Sequence, residues 1–199
     1  MNQLLISTGA IVGIVVVIFV ILVIAIVAWW ISTNNALIRL KNKVEEAWAT
    51  IDVYLKKRFD LIPNFVETVK GYAKHESETL EKVVAARNIA GAARSSEEKI
   101  AAENNLTNSL RTFLNVVSES YPELKANTNF LDLQNQLKQI EGELEGSRRY
   151  YNGIVKSFNT KIEIFPSSIV ARRMGEEYKK KPYFELDSVE ERKNVEVKF

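Results

Sequence analysis

No charged side chain occurs before Arg39, and from Leu4 to Ile31 the chain is an almost unbroken run of Ile, Val, Leu, Ala and Phe. As a helix those 28 residues reach about 42 Å at 1.5 Å per residue, more than the roughly 30 Å hydrocarbon core of a bilayer. Tilt and extension into the interface absorb the excess, and Trp29 and Trp30 stand where an aromatic belt is expected. A cleaved signal peptide fits less well: Met1-Asn2-Gln3 provides no basic start, the run is too long, and no Ala-x-Ala site precedes a polar mature start. Gly9 and Gly13 have small-xxx-small spacing, a common feature of membrane helices. Arg39, Lys41 and Lys43 follow the span and no basic side chain precedes it, so the positive-inside rule puts residues 1–3 outside and the domain after the span in the cytoplasm.

All the charge therefore lies in the last 160 or so residues. A net charge of +2 is too small for the basic face that nucleic acid demands, so that partner class is set aside. The chain has no cysteine, which excludes disulfides, thiolate metal sites and cysteine nucleophiles.

Beyond the span, Val44, Trp48, Ile51, Leu55, Ile62, Phe65, Val69 and Tyr72 recur with helical spacing, predicting one long amphipathic helix from about Asn35 to Lys74. Pro63 should bend it or restart it, and Arg58 falls on its apolar stripe. A second helix carries Leu80, Val83, Val84 and Arg87 and fades at Gly91. Ser95-x-x-Glu98 is a capping box that starts a third, which stops before Pro122. The Ala126-Asn127-Thr128-Asn129 turn leads into a fourth that keeps its period from Phe130 to Phe165. The expected fold is thus all-α: a single transmembrane helix (4–31), an antiparallel up-and-down bundle of two long and two short helices (32–165), and a short mixed tail (166–199). In that tail, Ser167 to Met174 reads as a short helix ended by Gly175, whereas Pro182 to Glu185 and Val195 to Phe199 read as extended. Because the long fourth helix should return toward the bilayer, the tail is expected beside the membrane-proximal end, with Arg172, Arg173, Lys179, Lys180 and Lys181 facing either anionic headgroups or solvent.

Reactive constellations are missing. His75 is the only histidine, and His75-Glu76-x-x-Thr79 puts threonine where a zinc protease needs its second ligand. Glu-x-x-His is absent, and no glycine-rich loop opens a helix to cradle phosphate. No cofactor or metal is expected, and Asn105-Leu106-Thr107 is a sequon by pattern alone. What remains is a polar stripe: Asp52, Arg58, Asp60 and Asn64 on helix one, and Glu141, Arg148, Arg149, Asn152 and Asn159 on helix four. If Lys41 lies near Phe165, equal rise brings Arg58 close to Glu145 and Arg148, and Asp60 close to Arg149. Such pairs more often fix alignment than perform chemistry.

These residues also carry a resemblance. Arg39-x-x-x-Lys43-Val44-x-x-Ala47, Ile51-Asp52-x-x-Leu55-Lys56-x-Arg58-x-Asp60-Leu61-Ile62-Pro63-Asn64, Tyr72-Ala73-x-His75-Glu76, Ala86-Arg87, Tyr121 to Asn127, Arg148-Arg149-Tyr150-Tyr151-Asn152, Phe158-Asn159 and Phe165-Pro166 occur in the order found in the LemA family, which the chain resembles over nearly its whole length. Phe65 departs from the aliphatic residue more usual there. The resemblance implies a bacterial membrane protein with one N-terminal span, the N-terminus outside, and a four-helix domain, but no reaction and no catalytic residues. The leading expectation is a non-enzymatic scaffold or interaction protein of the cell envelope, with protein partners and self-association both open. The alternative is a tethered sensor that binds a small ligand or anionic headgroups through the basic tail and the polar stripe.

Overall fold

A computed structural model describes residues 8–72 and 77–185; residues 1–7, His75, Glu76 and the 195–199 stretch lie outside the described residues. Among the described residues there are five α-helices and no strand: α1 (Thr8–Lys70), α2 (Ser77–Ala92), α3 (Ser96–Ser120), α4 (Thr128–Glu163) and α5 (Ser167–Arg173), with short 3-10 turns at Pro122–Ala126 and Glu176–Tyr178. The apolar run and the first amphipathic helix, expected as separate elements, are one 63-residue helix. Between Ile31 and Leu37 there is neither Gly nor Pro, and a helix already nucleated extends at low cost through Ser, Thr and Asn.

Pro63 lies inside α1 without ending it. A proline has no N–H for the carbonyl four residues back, here that of Phe59. Arg87 from α2 supplies the missing donor: its Nε donates to the Phe59 carbonyl at 3.0 Å while its guanidinium lies 3.6 Å from the Phe59 ring centroid. Gly91 makes room for that ring, because a Cβ there would come within 2.9 Å of Phe59 Cε2.

The caps follow the sequence closely. Ser95 Oγ accepts the Glu98 amide at 3.1 Å, and the Glu98 carboxylate accepts the amides of Arg94 (3.0 Å) and Ser95 (3.3 Å), which hold its pKa below the usual glutamate value. Asn127 Oδ1 accepts the Phe130 amide at the start of α4. Gly175, at φ +91°, ends the α5 segment in a conformation that side chains rarely adopt.

The chain packs as two units, Met1–Val44 with Lys156–Lys181, and Glu45–Val155 with Pro182–Phe199. In the first, Leu37, Val170 and Ala171 are buried together, with Trp30, Ile162, Met174 and Tyr178 against them. From Gly9 to Trp29 every residue of α1 is exposed; Trp30 is the first to be partly covered, and Thr33 and Leu37 are buried. In the second unit, Leu61, Ile62, Phe65, Val66 and Val69 of α1 pack with Val83, Ala86 and Ala90 of α2, Leu106, Leu110, Phe113 and Val117 of α3, and Phe130, Leu133 and Leu137 of α4. Phe65 meets Phe130 edge to face, with centroids 5.8 Å apart.

Candidate functional site

Arg58 occupies an apolar-stripe position between Leu55 and Ile62, and it is completely buried. A guanidinium is tolerated there only if its donors are met. Nη1 donates to Glu141 Oε1 (2.6 Å) and Thr107 Oγ1 (2.8 Å); Nη2 pairs with the Glu103 carboxylate and reaches the Glu103 carbonyl at 3.4 Å. Burial alone would lower its pKa, but Glu141 and Glu103 outweigh burial and raise it above the ordinary arginine value.

Arg148 is also buried and lies within electrostatic range of the group; burial first, then the charge of Arg58, lowers its pKa. Its Nε and Nη2 make no hydrogen bond, and the guanidinium stacks 4.3 Å from the centroid of the buried Phe184. Two guanidiniums and two carboxylates make the cluster neutral. Glu141 alone of the four keeps a third of its side chain exposed, at 34%. The arrangement can lock α1 against α3 and α4.

Two of the expected pairings along the stripe are replaced by others. Arg58 meets Glu141 rather than Glu145, a shift of one helical turn. Asp60 is exposed and pairs with Lys56 of its own helix, and Arg149 is exposed and lies 3.8 Å from Glu145. Asp52 binds Lys99 of α3 at 2.6 Å, and Asn64 is exposed. An open groove beside Asp52 is lined by Lys56, Phe59, Gly91, Lys99 and Glu103, where Lys99–Asp52 and Lys56–Asp60 neutralise one another locally.

Asn152 and Asn159, the last two members of the stripe, grip backbone of the C-terminal segment. In the second unit, Asn152 donates Nδ2 to the Phe184 carbonyl (3.0 Å) and accepts the Phe184 amide on Oδ1 (2.8 Å). Tyr151 donates to the Pro182 carbonyl at 3.0 Å and Asn104 to that of Glu185 at 2.8 Å, and Phe184 and Tyr151 flank Trp48 at 6.1 and 5.3 Å. Burial, helped by Glu97, pushes the Tyr151 hydroxyl up to about 12. In the first unit, Asn159 makes the same two-way grip on Lys181, at 2.9 Å in each direction. Side-chain amides thus provide the backbone partners that a neighbouring strand would. An Asn-x-x-x-x-x-x-Asn repeat on one helical face was the available signal.

Among the basic tail residues, Lys179 pairs with Glu176, Lys180 with Glu163 at 3.1 Å, and Arg172 and Arg173 are exposed at the end of α5. Trp29 and Trp30 meet edge to face with centroids 6.4 Å apart. α1 is the one helix among the described residues long and apolar enough to cross a membrane. No three His, Cys, Asp or Glu side chains come together as a metal site among the described residues.

Residues 47–199 match the LemA family model. A protein of Metamycoplasma hominis named Protein LemA is 29% identical over 145 residues, which is 73% of this chain and 66% of that protein. The match thus covers a little less than two thirds of that relative's length.

Proposed function

We propose that this protein, which belongs to the LemA family, is a non-enzymatic, membrane-anchored scaffold of the bacterial cell envelope, with its N-terminus outside and its helical domain in the cytoplasm. The observation that carries the reading is α1: one helix is exposed on all sides from Gly9 to Trp29 and continues unbroken as a core element of the charged domain. An isolated apolar helix of that length has no soluble partner to cover it, and a bilayer supplies one. The basic residues Arg39, Lys41 and Lys43 support the inward orientation. Beyond the anchor, α1 to α4 act as an antiparallel up-and-down four-helix bundle whose outer faces recruit protein partners or further copies of the chain. The neutral, buried arginine–glutamate cluster favours a structural over a catalytic use of its charges.

A photo-crosslinking amino acid placed singly at exposed positions of α2, α3 and α4 in the full chain, in living cells, tests the scaffold. Discrete protein adducts of reproducible mass, confined to one face, are expected. Uniformly absent adducts would contradict recruitment.

A second reading, contact with anionic headgroups, draws on the exposed Arg172 and Arg173 beside the cluster that holds Trp30. Arg58 takes no part in it, because it is fully buried.

A further inference from the structure

The first unit carries an apolar corner that its core does not use. α4 ends at Glu163 and α5 begins at Ser167. Between them, Ile164 is 48% exposed and Phe165 80%, and in the first turn of α5 Ile169 is 51% exposed. Three large apolar side chains this open, so close together, need a cover.

The position of the corner along α1 identifies that cover. Protein first touches α1 at Trp30, inside the apolar run and at the place where an interfacial belt is expected. Trp30 packs on the same Leu37–Val170–Ala171 cluster as Ile162. Phe165 is three residues past Ile162, and Ile169 immediately precedes Val170. The opposite end of the segment lies at the other side of that cluster, where Glu177 binds Lys41 at 2.5 Å. Ile164, Phe165 and Ile169 are therefore within a turn or two of the level of Trp30.

The chemistry around the corner suits an interface. Proline 166 has no N–H to leave unpaired, the Ile164 amide donates to the Thr160 carbonyl, and the Ser168 and Ile169 amides donate to the carbonyls of Ile164 and Pro166. Glu163, the nearest carboxylate, is paired with Lys180. Arg172 and Arg173 are exposed one turn beyond, placed for a headgroup layer.

We propose that Ile164, Phe165 and Ile169 enter the bilayer interface beside the anchor, forming a second, shallow membrane contact that fixes how the first unit meets the lipid surface. The inference rests on the anchor reading above. It gives the basic residues of α5 a defined depth, and it makes the corner, rather than the basic tail alone, the lipid-facing element.

The chain has no cysteine, so single introduced thiols report cleanly. The full chain is reconstituted into phosphatidylcholine–phosphatidylglycerol vesicles with a nitroxide on Phe165→Cys, Ile169→Cys, Tyr150→Cys or Ile21→Cys. Collision with lipid-soluble oxygen is then compared with collision with a water-soluble nickel complex. Oxygen should exceed nickel at positions 165 and 169, as at 21, and the order should invert at 150. Nickel-dominated readings at 165 and 169 with an oxygen-dominated 21 overturn the corner and leave the anchor intact. Low values for both probes at 165 mean protein, such as a second copy, covers the corner, and also overturn it. A nickel-dominated 21 removes the anchor and the corner with it. All four positions are exposed, so the substitutions leave the packing in place, and unchanged far-ultraviolet dichroism verifies this.

Discussion

Replacing Arg58 by alanine is expected to destabilise the full chain in detergent by about 3–5 kcal/mol, the usual cost of stranding a buried charge partner. In a chain of this size that lowers Tm by roughly 10 °C. Arg58 is fully buried and the Glu103 side chain keeps only 5% exposure, so truncation leaves a buried carboxylate without its hydrogen-bonded counter-charge. Arg148 does not substitute, because its stacking on Phe184 holds it without a direct hydrogen bond from Nε or Nη2. Thermal melts of three variants separate alignment from simple packing. Arg58→Ala should be the worst. Joint replacement of Arg58, Glu103, Glu141 and Arg148 by apolar residues of similar volume should recover most of the loss, since a removed cluster strands nothing. Asp60→Ala should fall within about 0.5 kcal/mol of the parent, as an exposed residue paired only to Lys56 on its own helix. An Arg58→Ala variant that melts like the parent would remove the cluster from the framework.

The second large effect concerns Pro63 and Arg87, which should be thermodynamically coupled. Arg87→Met takes away the donor to the Phe59 carbonyl and the stacking on its ring, an expected loss of about 2 kcal/mol. Pro63→Ala restores an N–H that can reach the same carbonyl, and alone it should stabilise by up to about 3 kcal/mol on helix propensity. In the Pro63→Ala background the cost of Arg87→Met should shrink by about 1 kcal/mol, because the carbonyl is no longer orphaned. A double-mutant cycle read by denaturant melts measures that coupling. Equal costs of Arg87→Met in both backgrounds would mean that the arginine serves the ring and not the carbonyl.

The two pairs show where the sequence was readable. Local rules placed the helices and caps: Ser95-x-x-Glu98 opens α3, Asn127 caps α4, and Gly175 stops the α5 segment. The stripe also put Arg58 among buried neighbours, as periodicity requires. Register was not legible. A one-turn slide keeps the same face of a helix inward, so Glu141 and Glu145 are equivalent partners for Arg58 by spacing alone. The Pro63–Arg87 contact was hidden for a similar reason, since the proline announces an orphaned carbonyl but not which distant side chain answers it. Asn152 and Asn159 were identified as stripe members. Their partners are main-chain groups, which carry no residue-type signal, so spacing alone named no partner for them. The join between the apolar run and the first amphipathic helix was not legible, because the apolar run ends at Ile31 and the amphipathic period is carried only by residues further on.

In the proposed arrangement α1 both crosses the bilayer and frames a cytoplasmic domain. The most direct measurement uses the full chain carrying Tyr150→Cys in intact bacterial cells. It combines labelling by a membrane-impermeant maleimide with alkaline carbonate extraction. The expected result is a protein that stays in the membrane pellet and is labelled only after the inner membrane is permeabilised. Labelling in intact cells would place the domain outside, and release into the carbonate supernatant would show that the helix from Gly9 to Trp29 does not span.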